Sequence, residues 1–429
     1  MKVLVVGSGG REHAIIWKLK RDNPEILLYC APGNSGMREM AVIVPISAND
    51  MHGLAAFAKR EHIDLTIVGT EEPLVRGIVN YFEKENLRIF GPTKKAALLE
   101  GSKAYAKGFM EKHHIPTASC AVFHDYENAS AYARDHGAPL VVKADGLAAG
   151  KGVLVCETFE QADNALRRLL LDQQFAEAGE KVVVEDKLEG PEVSVLAFCD
   201  GKTLALMASA KDYKRALDGD KGANTGGMGA VSPAPGYTPE IEKACMREIF
   251  MPTLEALKGE GIVYKGIIYF GLMLTSSGPK VIEYNCRLGD PEAQAVLPRL
   301  RTNLLDVILA VVNGELDKIS LEWDGRASAC VVLASDGYPG SYIKGRSISG
   351  LQQTPERLLV FHAGTAEETG ADGASCTVTN GGRVLDLVCL GEDAESAARA
   401  VYEAVPAISF QGMMYRKDIG NGAEALGEC

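Results

Sequence analysis

The stretch Val141-Val142-Lys143-Ala144-Asp145-Gly146-Leu147-Ala148-Ala149-Gly150-Lys151-Gly152 ends an apolar run in one lysine and carries a second in a segment of small residues. Such a loop can fold over phosphate groups while the two ammonium groups neutralise them. It is not a Walker loop, because Gly150-Lys151 is followed by Gly152 and not by Ser or Thr. Read alone, the same residues also describe a glycine-rich hairpin with exposed lysines.

Further along, Glu283-Tyr284-Asn285 closes another apolar run. In an extended strand Glu283 and Asn285 share one face. Two oxygen donors suit magnesium, which takes few protein ligands and completes its octahedron with water and phosphate oxygens. A solvated strand end has the same appearance. Arg287 follows, able to reach a phosphate or carboxylate, and Asp290-Pro291-Glu292 adds two acids. Between the two regions, Lys211-Asp212-Tyr213-Lys214-Arg215 precedes Asn224-Thr225-Gly226-Gly227-Met228-Gly229-Ala230. Dense charge followed by glycines describes either a loop whose backbone approaches a substrate closely or an ordinary surface loop.

The opening Gly7-Ser8-Gly9-Gly10 suggests a dinucleotide fingerprint, but its third glycine should fall at position 12, which is Glu12. The following strand also ends in Cys30-Ala31-Pro32-Gly33-Asn34, with no acid for a ribose. A glycine turn at a helix amino terminus still suits a single phosphate. A mere tight turn fits equally well.

The elements that must position these residues follow from periodicity. Lys2 to Val6 reads as a strand and Arg11 to Lys20 as a helix, with more strands at Ile26 to Cys30, Leu65 to Val68 and Arg88 to Phe90. Residues 1–101 therefore form a Rossmann-like parallel α/β domain. A helix from Ser102 to His114 ends before Pro116. Strands at Leu140 to Lys143, Val153 to Cys156 and Lys181 to Glu185, with a helix at Phe159 to Leu171, make a small lobe over about 120–190. A larger mixed lobe over about 191–325 holds a hairpin from Ile267 to Tyr284. Residues 326–429 read as a small β-rich domain ending in a helix from Ala394 to Val405.

Size and composition agree. At 429 residues the chain is long enough for about three domains. With 46% apolar and 24% charged residues it can bury a core and stay dissolved. The net charge of -12 and the lack of a basic patch argue against nucleic acid. None of the ten cysteines forms a CxxC pair, which favours reduced thiols and a cytoplasmic protein. No apolar run is long enough to span a membrane.

Together these residues resemble the ATP-grasp ligases, and within them the phosphoribosylamine–glycine ligase family. The likeness spans the chain: Val5 to Ala14, Ala31 to Asn34, Ile89 to Thr93, Lys143 to Gly152, Asn224 to Ala230, Glu283 to Glu292, Phe361 to Thr365, Asn380 to Val384 and Arg416 to Gly420. It implies a two-lobed ATP-grasp core and ATP-dependent joining of glycine to 5-phosphoribosylamine through glycyl phosphate. The cofactors implied are ATP and magnesium or manganese, and the expected state is a monomer. By the same resemblance Lys143 and Lys151 contact the nucleotide phosphates, with Lys103 on the nucleotide side. Glu185, Lys187 and Leu188 belong to the adenine hinge, and Glu192 reaches the ribose. Glu283 and Asn285 hold the metal. Arg287 orients the phosphate or acyl phosphate, and Lys214 and Arg215 assist there. Asp212 and Asp290 receive the glycine ammonium, in a substrate loop that includes Gly227 and Met228. Gly9, Gly10, Gly33, Asn34 and Glu71 hold phosphoribosylamine. The hinge Glu185-Asp186-Lys187-Leu188 departs from the family pattern, in which a second glutamate and an aromatic residue are expected. Ser209-Ala210-Lys211-Asp212 stands where a glutamine usually precedes the aspartate, and Thr70 and Ala223 stand where prolines are expected. A sister ATP-grasp ligase acting on another purine intermediate or on bicarbonate, a nicotinamide-dependent dehydrogenase and a non-catalytic nucleotide sensor are the competing readings.

Overall fold

Val3 to Val6 are buried on both sides, as the middle strand of a parallel sheet covered by helices must be. The sheet runs in the order Val42–Ile43, Leu27–Pro32, Lys2–Gly7, Leu65–Val68, Ile89–Phe90. Leu27–Pro32 and Leu65–Val68 flank Lys2–Gly7 on opposite sides, so a crevice opens where these strands end. Helix Gly10–Asp22 starts there. The chain is seen in a computed structural model that describes residues 1–148, 152–172, 180–369, 373 and 375–421. Lys151 lies outside the described residues.

Helix Lys103–Lys112 links this domain to the next. The Ser102 hydroxyl accepts from Tyr105 N at 3.0 Å, capping the helix, and donates to the Asp145 carboxylate at 2.9 Å. The helix is thereby tied to the loop that follows strand Leu140–Ala144. That strand belongs to a four-stranded antiparallel sheet ordered Cys120–Phe123, Val182–Asp186, Leu140–Ala144, Val153–Cys156. Leu140, Val142, Val182 and Val184 pack against helices Tyr126–His136 and Phe159–Leu166. Strand alternation then turns Lys143 and Glu185 to the opposite face.

A second antiparallel sheet, ordered Leu204–Leu206, Glu192–Asp200, Lys265–Thr275, Gly278–Asn285, forms the larger lobe. Its last two strands are the hairpin read from the sequence, with Tyr269 opposite Asn285 and Gly271 opposite Glu283. The third large sheet crosses the division that composition suggests at residue 325. Lys211–Asp212 pairs with Gly229–Ser232, and this strand pairs with Ala327–Ser335, which continues to Arg383–Gly391 and Leu359–His362. The charged strand at residues 211–212 is therefore an edge of the carboxy-terminal sheet. The whole is a parallel α/β domain, a two-lobed core and a β-rich carboxy-terminal domain. Among the described residues no helix is long and apolar enough to cross a membrane.

Ser102→Ala removes both the cap and the bond to Asp145. We expect it to destabilise the protein by about 1 kcal/mol in urea unfolding; an unchanged midpoint would show that this cap contributes nothing.

Candidate active site

Between the two antiparallel sheets lies a cleft of about 700 Å³, a volume suited to a nucleotide and small substrates. On the smaller lobe Lys143 reaches Ile282 O at 3.3 Å and pairs with the buried Glu185. A third group, Lys107, pairs with the same carboxylate and donates to Thr117 Oγ1 at 2.8 Å and Ala118 O at 3.2 Å. Burial pulls the Lys107 ammonium down, and Glu185 opposes the shift. Lys107 carries no chemistry when read in sequence. Its only signal is its place one turn beyond Lys103, which also lines the cleft. The Glu185 side chain is thus used to hold two lysines. Lys187 pairs with Glu157 at 2.7 Å at the cleft edge, and Leu188 lines the wall beside it.

Glu283 and Asn285 line the opposite wall. Burial works to raise the Glu283 carboxyl, but Lys214, Lys103, Lys143 and Arg287 outweigh it and bring it down to about 2. Glu283 is therefore ionised at neutral pH, and its ion-pair partner is Lys214 at 3.7 Å. Lys214 also pairs with Glu192 at 3.0 Å. Against burial, these two acids hold its ammonium well above the usual lysine range. An ionised carboxylate beside an amide oxygen is a donor set that fits a hard divalent cation with open positions for phosphate oxygens. Among the described residues there is no larger cluster of metal-binding side chains.

Asp212 stands next to this pair. Its Oδ1 is buried and has no hydrogen-bond partner, and a side chain on Gly227 would come within 2.7 Å of it. Gly227 has a φ of +111°, so glycine is required there for conformation as well as space. Burial and the nearby Glu292 push the Asp212 carboxyl well up. Met228 is buried behind the loop and donates its N–H to Tyr213 O at 2.8 Å. Arg215 lines the cleft and donates to Gly222 O at 2.9 Å.

Asp290 is paired with Arg383 at 3.2 Å and accepts from Gln294 at 2.7 Å. Arg383 also donates to Gly226 O at 2.7 Å, so a carboxy-terminal residue clamps the glycine loop to Asp290. Arg287 is held by Glu100 at 2.8 Å and Glu71 at 3.2 Å. Glu100 was not singled out from the sequence, and neither was Arg11, which lines the cleft near Glu71.

The amino-terminal glycines have a different neighbour from the one a fingerprint suggests. The Glu12 carboxylate accepts from Gly9 N at 2.7 Å and Arg11 Nε at 2.6 Å. A side chain on Gly7 or Gly69 would lie 2.4 or 2.3 Å from Glu12 atoms. These glycines make room for an internal carboxylate. Gly10 packs against Asp386 and Gln294, and Gly33 against Ile43 and Cys30. The Asn34 amide donates to Ser8 O at 2.8 Å and His362 O at 2.6 Å, which joins the first domain to the last. Of this group only Gly9 comes close to a cleft carboxylate, that of Asp290.

The chain matches the sequence family described as phosphoribosylglycinamide synthetase in three consecutive parts. They are the N domain over residues 1–100, the ATP-grasp (A) domain over 101–293 and the C domain over 328–422. The biotin carboxylase domain of 2-oxoglutarate carboxylase from Hydrogenobacter thermophilus, solved with magnesium ADP and bicarbonate, shares the fold at 17% identity with a TM-score of 0.73, over 96% of this chain and 91% of that one. Fold and cleft define an ATP-grasp enzyme. A phosphoribosylamine–glycine ligase from Halalkalibacterium halodurans is 50% identical over 425 residues, covering 99% of this chain and 98% of the relative. One from Ralstonia nicotianae is 48% identical, with 99% of each chain covered. The crystal structure of the enzyme of that name from Thermotoga maritima superposes with a TM-score of 0.84 at 35% identity, over 98% of this chain and 100% of that one. The chain belongs to the phosphoribosylamine–glycine ligase family.

Glu185→Gln would leave two buried ammonium groups facing each other without a counter-charge. A loss of about 3 kcal/mol in denaturant unfolding is expected; parent-like stability would show that the lysines do not depend on this acid.

Proposed function

We infer that this protein joins glycine to 5-phosphoribosylamine in an ATP-driven ligation, giving glycinamide ribonucleotide, ADP and phosphate in purine biosynthesis. The observation that carries the reading is a single cleft that combines buried lysines, an ionised Glu283 beside Asn285, and an unpartnered carboxylate oxygen on Asp212.

A carboxylate is a poor electrophile and must first be activated. One glycine carboxylate oxygen forms a bond to the γ-phosphorus, and the bond to the β-phosphate oxygen breaks to release ADP. The amine nitrogen of phosphoribosylamine then attacks the acyl carbon, and inorganic phosphate leaves. Neither step needs a protein nucleophile. Alignment and charge neutralisation are what the enzyme must supply.

In this reading Lys143 and Lys107 neutralise the nucleotide phosphates, with Lys103 nearby and Lys151 from the loop. Residues 185–188 bound the base, and Glu192 faces the ribose. Glu283 and Asn285 would hold magnesium or manganese, which supplies charge for the transferring phosphoryl group. Lys214, Arg215 and Arg287 are the neighbouring cations for phosphate oxygens. Asp212 takes the glycine ammonium at its free Oδ1, whereas Asp290 serves through its pairing with Arg383. An incoming ammonium would also restore the ionised state that burial opposes in Asp212. Gly227 gives the ammonium room, and Met228 backs the loop. Phosphoribosylamine lies toward the amino-terminal crevice, by Gly9, Gly10, Gly33, Asn34 and Glu71. A monomer in the cytoplasm is the state proposed, and the free cysteines among the described residues suit a reducing compartment.

With magnesium present, ADP and phosphate should form only when glycine and phosphoribosylamine are both supplied. Turnover with bicarbonate in place of glycine would overturn the assignment. Glu283→Ala should lower kcat by about a hundredfold or more while the circular dichroism spectrum is retained; full activity in that variant would remove Glu283 as a metal ligand.

A further inference from the structure

Arg416 heads the largest fully buried side chains among the described residues, yet it lies outside the cleft and the chemistry above makes no use of it. A guanidinium is buried only where its donors are satisfied, and here they are. Its Nε and Nη2 donate to the two Asp418 oxygens, each at 2.7 Å. Its Nη1 donates to Asp220 at 2.7 Å and to Arg215 O at 3.2 Å. The group also sits 5.1 Å from the centre of the Tyr213 ring.

Two of these partners, Arg215 and Asp220, line the cleft, and Tyr213 lies directly behind it. Asp212 and Lys214 line the cleft, while Tyr213 between them is buried in the carboxy-terminal core. Residues 416–420 grip this strand and the hairpin that follows it, Arg215–Leu217 paired with Lys221–Asn224, at several points. Lys417 N donates to Asp218 at 2.8 Å, Gly219 N donates to Asp418 at 2.8 Å, and Gly420 N donates to the Tyr213 hydroxyl at 3.2 Å. The segment is itself fixed to helix Ala394–Ala404, since the Tyr402 hydroxyl donates to Arg416 O and accepts from Ile419 N, both at 2.9 Å.

We propose that residues 416–420 are a positioning element for glycine activation, in which Arg416 holds Tyr213 and the hairpin from behind and so sets where Asp212 and Lys214 stand. The proposal rests on the roles given above to Asp212 and Lys214. Displacing a carboxylate by a fraction of a bond length weakens an ammonium site and misaligns the phosphoryl acceptor, so glycine KM and kcat should both respond. Phosphoribosylamine, held toward the amino-terminal crevice, should not.

The test is steady-state kinetics on full-length Arg416→Gln, Arg416→Lys and Asp218→Ala, varying each substrate in turn. In Arg416→Gln, glycine KM should rise and kcat should fall, each about tenfold, with the phosphoribosylamine KM within about twofold of the parent. Arg416→Lys keeps the charge but not the planar fork and should remain impaired. Asp218 is exposed and outside the cleft, so Asp218→Ala cuts one contact without endangering the fold; about a threefold rise in glycine KM is expected. A uniform fall in active fraction with every KM unchanged would overturn the proposal, as would an unaltered glycine KM in Asp218→Ala should Arg416→Gln fail to fold. Asp212→Asn, run alongside, separates the two readings. Activity lost there with glycine affinity kept in the other variants overturns the positioning role alone, whereas full activity in Asp212→Asn overturns the role of Asp212 and this proposal with it.

Discussion

A site that must neutralise a polyphosphate needs cations close together in a partly dry cleft, and those cations repel one another until their ligand arrives. Among the described residues, five of these cations are each held by an acid. Glu185 lies between Lys107 and Lys143, Glu100 and Glu71 hold Arg287, Glu192 and Glu283 hold Lys214, and Asp290 holds Arg383. The acid and the cation usually come from different elements. Charge compensation therefore also joins the parts of the molecule.

The pairs show how this works. Lys107 comes from the linking helix and Glu185 from the smaller sheet, so satisfying one fixes the other. Arg287 leaves the end of the larger sheet's hairpin and meets Glu71 of the amino-terminal domain. Arg383 leaves the carboxy-terminal sheet and meets Asp290 and the glycine loop. The same domain reaches back to the first through Asn34 and His362. Breaking any of these pairs would leave a charge buried without a partner, which costs more than the pair itself contributes. The arrangement favours one relative placement of the lobes.

Much of this was legible in the sequence. The strand ending in Lys143, the hairpin ending in Glu283 and Asn285, and the charged run at residues 211–215 were all readable, because strand periodicity and turn residues are local signals. The partners of those residues were not. Lys107 looks like one of several surface lysines on a helix, and Glu100 and Arg11 look like ordinary charged residues. Glu12 spoils a dinucleotide pattern when read alone, and only the fold shows that Gly7 and Gly69 leave space for its carboxylate. Division at residue 325 follows a real change of texture, yet sheet pairing carries strands 211–212 and 229–232 across it.

By itself the sequence determined which residue types stand at the ends of which strands, and the order of its motifs determined the family, because both depend on neighbours along the chain. Tertiary structure alone decided which charges are compensated and which group is left free. Asp212 and Asp290 are equivalent acids on paper. In the fold Arg383 and Gln294 take the oxygens of Asp290, and Asp212 keeps a buried oxygen with no partner. That difference arises from distances between side chains that lie far apart along the chain, which no local pattern encodes.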